Sequence, residues 1–294
     1  MKSLNHQEIF GNWATLLLAT DDHGNLDFSR IADEMDVLVA SRPNGIYSNG
    51  TAGEFYAQTE DEFDRISLML AGKCEKAGVN YQLGVNHMSP QLSLERLKRI
   101  RHLKPGAVQV ILPDWFPVTL DEAVDFLQTM EATLVQPEEW PILKEKVPSL
   151  AGLKVFDQNA DAGWYSKMRE NGKSLSVFIP GHRLASGIQN GAHGAYSNMA
   201  CLNPFAAQRW YELTHTDLPA ALELENRINQ FMGELIAPLI TEQHYPNHAC
   251  DRLMALVGGW ADVGRKLRWP YRSIPVDFVG PIREKAKSII PEFF

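Results

Sequence analysis

The chain has 294 residues, 45% hydrophobic and 22% charged, a composition that supports a large buried core and excludes a disordered or fibrous protein. Its 28 lysines and arginines stand against 36 aspartates and glutamates, a formal charge of −8 without any basic block, which argues against a nucleic-acid partner. The three cysteines (Cys74, Cys201, Cys250) form no metal or redox spacing, the polar amino terminus has no signal-peptide core, and no run approaches a membrane span, so a cytoplasmic protein is expected.

Apolar runs of strand character fall at Trp13–Ala19, Gly45–Ser48, Tyr81–Val85, Ala107–Leu112, Leu150–Phe156, Leu175–Ile179 and Gly194–Ser197. Amphipathic helical stretches accompany them at Phe28–Ala40, Glu60–Ala77, Gln91–Leu103, Leu120–Met130, Glu138–Val147, Asp161–Asn171 and Pro204–Leu213. Strand, crossover helix, strand at this pace predicts an α/β fold with a parallel sheet, and nearly eight units in roughly 200 residues predict a (β/α)8 TIM barrel. A doubly wound dinucleotide fold is disfavoured, because no Gly-x-Gly-x-x-Gly follows the first strand. From Pro219 the alternation stops, leaving helical patterns at Ala220–Ile240, Ala249–Trp260 and Val276–Ile289. The expected organisation is a barrel over 1–218 and a C-terminal helical extension over 219–294.

A barrel carries its chemistry at the C-terminal ends of its strands. Lys154 is the one charged residue in the apolar run Leu150-Ala-Gly-Leu-Lys-Val-Phe156. Desolvation favours its neutral amine, and a neutral buried amine attacks carbonyl carbon, so the position reads as a Schiff-base nucleophile. The competing reading is a lysine near a strand end that snorkels to water. After the second strand comes Asn49-Gly-Thr-Ala-Gly-Glu54, whose freed N–H groups can cradle a carboxylate or an oxyanion, or form an ordinary capped turn. Pro113-Asp-Trp-Phe-Pro117 sets aromatics at the mouth; in Pro180-Gly-His-Arg183 and Gly191-Ala-His-Gly-Ala-Tyr-Ser-Asn198, His182 and His193 either line the mouth as polar contacts or are surface or core histidines. Tyr196 presents its hydroxyl near Lys154 or fills the barrel.

Other chemistries fit less well. His244, His248 and Cys250 have a zinc-like spacing, but Pro246 interrupts it and no glutamate follows the first histidine. No metal and no organic cofactor are therefore expected. A phosphate-sugar barrel is disfavoured because Asn198-Met-Ala-Cys-Leu202 lacks the glycines of a phosphate loop. Trp260, Trp269 and Tyr271 read as packing or interface residues.

These pieces resemble the pyruvate-dependent aldolase and lyase family that includes dihydrodipicolinate synthase and N-acetylneuraminate lyase. The resemblance rests on Gly50-Thr-Ala-Gly-Glu54 against that family's Gly-Thr-Thr-Gly-Glu loop, on Lys154, and on Gly191, Gly194 and Ser197 in a Gly-x-x-Gly-x-x-Ser pattern. It spans most of the chain. It implies that Lys154 forms a Schiff base with pyruvate or a related 2-oxo acid, while Thr51 and the N–H of Ala52 hold the substrate carboxylate. Gly50, Trp115, Tyr196 and Ser197 complete the substrate site that it implies. It also implies a homo-oligomer, either a dimer or a homotetramer.

Three departures qualify that picture. Ala52 stands where the family's synthases place a proton-relaying threonine, and Trp115 stands near the tyrosine that a neighbouring subunit supplies there. The family's fifth strand ends in Tyr-Asn-x-Pro, whose tyrosine is the general acid/base; that motif is absent here, and only Glu131-Ala-Thr-Leu-Val-Gln136 separates Met130 from Pro137. At about 3.3 Å per residue, Thr133–Val135 crosses only a small part of a barrel wall. A truncated fifth strand and a widened mouth are expected, with impaired turnover. The leading reading is thus a lyase or aldolase acting on a 2-oxo acid through a lysine Schiff base. The competing one is an impaired relative that binds a keto acid or serves as a structural oligomer.

Overall fold

The structure is a computed structural model, and it describes residues 2–112, 119–130, 140–155 and 161–294, with backbone alone at 129 and 130. Seven parallel strands, β1 (Gly11–Thr15), β2 (Gly45–Ser48), β3 (Tyr81–Gly84), β4 (Ala107–Gln109), β5 (Gly152–Lys154), β6 (Ser176–Pro180) and β7 (Gly194–Ser197), form one curled sheet. Among the described residues its order is β4-β3-β2-β1-β7-β6-β5. Each anticipated strand has a counterpart. β1 stops at Thr15 rather than Ala19, because the next residues leave the sheet while staying buried; there the Leu17 N–H donates to Glu34 Oε1 at 2.7 Å. The expected stub at Thr133–Val135 and the widened mouth beside it lie outside the described residues.

Helices α1 (Phe28–Ala40), α2 (Glu60–Ala77), α3 (Pro90–Ile100), α4 (Leu120–Met130), α5 (Trp140–Lys146), α6 (Ala162–Asn171), α7 (Leu184–Gln189), α8 (Asn198–Leu202) and α9 (Pro204–Thr216) follow the strands. The short α7 and α8 were not anticipated from the sequence, since one or two turns show no helical period. α2 starts at a capping box: Thr59 Oγ1 accepts the Glu62 N–H at 3.3 Å, and Glu62 Oε2 accepts the Thr59 N–H at 2.8 Å. α10 (Leu218–Phe231) passes through a π-helical turn, Met232–Ile236, into α11 (Ala237–Thr241). Pro238 has no N–H to give an α-helical turn there, and the wider turn accommodates it. α12 (Asn247–Gly258) and α13 (Val279–Ile289) complete the chain's long helices.

Strand register decides which side chains face inward. Trp13 pairs with Gly45 and Tyr196, Tyr47 with Thr15 and Gln82, and Phe178 with Lys154 and Gly194. Trp13, Tyr47, Phe178 and Tyr196 make an inner cluster, with Leu4 and Ile9 packed on it. Leu4 donates its N–H to Gly106 O at 2.8 Å, just before β4, so this segment plugs the N-terminal end. The alternate residues Ala14, Ile46, Leu153, Val177 and Ala195 face outward into the main core shared with the helices. Gly45 is required by this layering, since a Cβ there would lie 2.5 Å from the Trp13 ring.

The helices after Pro219 are fastened to the same core. α10 packs on α7 and α9, α12 packs on α8, and Leu224, Ile228, Leu253 and Met254 join the cluster that the strands begin. One polar contact anchors them. Arg252 on α12 meets Glu54 at 2.7 Å, with side chains only 4% and 1% exposed, and also donates to the carbonyls of Leu18 and Val263. Replacing one partner strands a buried charge, at a cost of about 3–5 kcal/mol. Arg252→Met is expected to lose that much stability in urea titration, and Glu54→Gln with Arg252→Met to recover part of it; a double-variant loss equal to the sum of the Arg252→Met and Glu54→Gln losses would refute the coupling.

Candidate active site

The loop after β2 is built from its own backbone. Its carbonyls are engaged: Asn49 O accepts from Asn86 Nδ2 at 2.7 Å, Thr51 O from the Glu54 N–H at 3.1 Å, and Gly53 O from Gln58 Nε2 at 3.0 Å. The N–H groups of Thr51 and Ala52 donate to no protein group among the described residues. Glu54, with φ at 50°, closes the turn in a left-handed conformation and is held there by Arg252. Gly50 passes tightly over the interior, since a Cβ there would lie 2.9 Å from the Tyr47 ring and 3.4 Å from Gln109 Oε1. Thr51 is exposed and Ala52 is half-buried against the main core.

Lys154 ends β5 and pairs with Phe178, a member of the inner cluster, so its side chain faces inward. It lines a cavity of about 690 Å³ together with Thr51, Gln82, Gln109, Phe178 and Tyr196. Tyr196 donates its hydroxyl to Gln82 Oε1 at 2.7 Å, and its ring lies tilted against that of Tyr47 with centroids 4.5 Å apart. Water reaches Lys154 through the cavity, but protein surrounds the amine on its other sides. That desolvation lowers its pKa from the usual lysine value, and the Asp251 carboxylate works in the opposite direction. Burial also pushes the Tyr47 and Tyr196 hydroxyls up, so both stay protonated.

The remaining candidates are placed less simply. Ser197 pairs with Ala14 on the outer face, and its Oγ accepts the Ala200 N–H at 3.1 Å; it caps α8 and does not line the cavity. Trp115 lies outside the described residues. His182 sits 3.1 Å from Asn198 Nδ2, while His193 precedes β7, at the end of the sheet away from the mouth, and binds the Val177 N–H at 3.2 Å. Among the described residues no group of histidine, cysteine and carboxylate side chains forms a metal site. His248 packs between Tyr56 and Tyr271, with ring centroids at 5.4 and 4.7 Å, and burial lowers its pKa to about 4.

Sequence reasoning missed Tyr47, Gln82, Gln109 and Asp251. The first three were legible in principle as inward positions of strands. Asp251 sits beside Arg252 in the otherwise apolar run Ala249–Gly258, and a charged pair there is its signal. It is 4% exposed, accepts from Asn247 Nδ2 at 3.2 Å, and is raised by burial to about 7 from an ordinary 3.8, with Lys154 opposing the rise. As pH rises from about 4 to about 7, the unfolded chain releases this proton before the folded one, so Asp251 withdraws stability across that window. Asp251→Asn is expected to remove a fall of roughly 2–4 kcal/mol in unfolding free energy over this range, read by urea titration at successive pH values. An unchanged slope would contradict the burial of the carboxylate.

Comparison with known proteins fits this geometry. No protein-family model matches the chain. N-acetylneuraminate lyase of Citrobacter koseri is 22% identical over 149 residues, which are 51% of this chain and 49% of that protein, so the match spans about half of each. Among solved structures, a putative dihydrodipicolinate synthetase from Pseudomonas aeruginosa superposes with a TM-score of 0.82 at 15% identity, covering 97% of this chain and 100% of that one. N-acetylneuraminate lyase from Aliivibrio salmonicida gives 0.80 at 18%, covering 98% of both. A prophage protein of the dihydrodipicolinic acid synthase family from E. coli K12, in complex with pyruvate, gives 0.81 at 14%, covering 96% of this chain and 98% of that one. With the Gly50–Glu54 loop and Lys154 on one curled parallel sheet, the chain resembles the dihydrodipicolinate synthase and N-acetylneuraminate lyase family.

Proposed function

We propose that this chain is a lyase or aldolase that forms a Schiff base between Lys154 and a 2-oxo acid such as pyruvate. One observation carries the reading. Lys154 and Thr51, whose N–H is unengaged among the described residues, line one cavity in the interior of the sheet, while Gly50 and Ala52 of the same loop do not line it. The neutral amine attacks the C2 carbonyl and a proton moves from nitrogen to oxygen to give the carbinolamine; one further proton, taken from solvent, lets the hydroxyl leave as water and gives a protonated imine. That imine draws electrons from the adjacent carbon–carbon or carbon–hydrogen bond. The N–H groups of Thr51 and Ala52, with the Thr51 hydroxyl, bind the carboxylate of the 2-oxo acid.

Cytoplasmic residence and a homo-oligomeric state, a dimer or tetramer, belong to the same proposal; no described helix is long and apolar enough to cross a membrane. Light scattering at micromolar concentration tests the assembly. For the chemistry, incubation with pyruvate and borohydride is expected to add one reduced pyruvyl group by intact-mass measurement, and Lys154→Ala to abolish it. Thr51→Val is expected to raise the pyruvate concentration for half-maximal labelling about tenfold, as loss of a charge-assisted hydrogen bond implies. Labelling of the Lys154→Ala variant would overturn the assignment. Labelling without turnover would select the impaired-relative reading.

A further inference from the structure

Chemistry on a lysine imine moves protons as well as electron pairs, so the cavity needs a group that gives and takes them. Among the described residues lining it there is no aspartate, glutamate, histidine or cysteine. Asp251, His182 and His193 are not part of the lining. Lys98, Arg101, Ser3, Ser149 and Ser176 line the end where β4, β5 and β6 begin, away from the mouth. What stands near Lys154, besides two glutamine amides and Thr51, is the phenol of Tyr196.

Tyr196 is placed for that task. Lys154 and Gly194 both pair with Phe178, and Tyr196 follows Gly194 by two positions, so it faces inward on the mouth side of that level. Its ring meets Phe178, the strand partner of Lys154, edge-on at 5.1 Å. The side chain is half-buried, its hydroxyl donates to Gln82 Oε1 at 2.7 Å, and among the described residues no group donates to its oxygen. The lone pairs of that oxygen are left for a ligand in the cavity. Gln82 serves both forms of the phenol: its amide accepts from the hydroxyl and, turned about, donates Nε2–H to a phenolate. Burial keeps the resting hydroxyl protonated. A phenolate arises only beside the positive imine, which offsets the cost of its charge.

We propose that Tyr196 is a catalytic residue of the lysine chemistry, the group through which protons reach and leave the bound 2-oxo acid. The inference rests on the Schiff-base reading. The Tyr196 O–H gives its proton to the carbinolamine hydroxyl; the C2–O bond breaks, water leaves, and the nitrogen lone pair closes the C=N bond. The phenolate then regains a proton from solvent or takes one from C3 of the imine. In the second case the C–H electron pair forms a C2–C3 double bond, the C=N pair returns to nitrogen, and an enamine results. That transfer is read without a second substrate, as exchange of the pyruvate methyl protons for deuterium, followed by NMR in D2O. Wild type is expected to exchange them, and Lys154→Ala to show only the uncatalysed background. Tyr196→Phe is expected to lower the rate tenfold or more, up to the roughly 10²–10⁴ that such a group contributes, while Lys154 still becomes labelled on long incubation with pyruvate and borohydride. A loss smaller than tenfold overturns the proposal. If the phenylalanine variant fails to fold by circular dichroism, Tyr196→Phe with Gln82→Leu removes the orphaned amide as well and is expected to show the same loss. Labelling of wild type without exchange sinks only this inference, whereas wild type that neither labels nor exchanges sinks the Schiff-base reading and this one with it.

Discussion

The contact between Glu54 and Arg252 ties together parts of the chain 198 positions apart. Taking two charges out of water costs several kcal/mol per ion, so such a pair persists only when its remaining hydrogen-bonding capacity is used. Here most of it is. Arg252 donates to two backbone carbonyls besides Glu54, whose second oxygen accepts the Arg268 N–H at 3.3 Å; among the described residues only Arg252 Nε of the pair is left without a partner. The pair holds Glu54 in its left-handed conformation and thereby shapes the turn in which the Thr51 and Ala52 N–H groups meet no protein acceptor among the described residues. The same contact fixes α12 against the barrel. The helices after Pro219 therefore support the loop of the candidate site.

That docking sets the electrostatics of the interior. Asp251 precedes Arg252 and is carried inward with it, where it meets the field of Lys154. Desolvation pushes the lysine down and the aspartate up, toward the neutral form of each, while their mutual attraction resists both shifts. A lysine whose ammonium is disfavoured in this way is suited to attack a carbonyl, and a nearby carboxylate limits how far the effect runs. The inner wall adds amides and hydroxyls, which bind without imposing a further charge. Bulk is arranged by alternation: Trp13 lies across Gly45, and Gly50 makes room for Tyr47 and Gln109.

The repeating unit was legible in the sequence because strand alternation and helix period are local signals. Gly45–Ser48 and Gly194–Ser197 were placed to the residue, and Lys154 stood out as the one ammonium in an apolar run. What escaped was non-local or too short. Leu16–Ala19 look like strand because they are buried, but they are buried against helices rather than within the sheet. Ser197 fits a substrate-loop pattern, yet the register turns it outward to cap α8. α12 is buried almost all round, so it has no amphipathic face to advertise its partner, and nothing near Arg252 in sequence points to Glu54.

The central claim is that Lys154 and the Gly50–Glu54 loop make one site for a 2-oxo acid. A crystal structure of the chain after pyruvate trapping with borohydride tests it most directly. The account predicts continuous density from Lys154 Nζ to the pyruvyl carbon, with the carboxylate oxygens within hydrogen-bonding distance of the Thr51 and Ala52 N–H groups. A pyruvyl group on another lysine, or a Lys154 adduct whose carboxylate lies away from that loop, would contradict it.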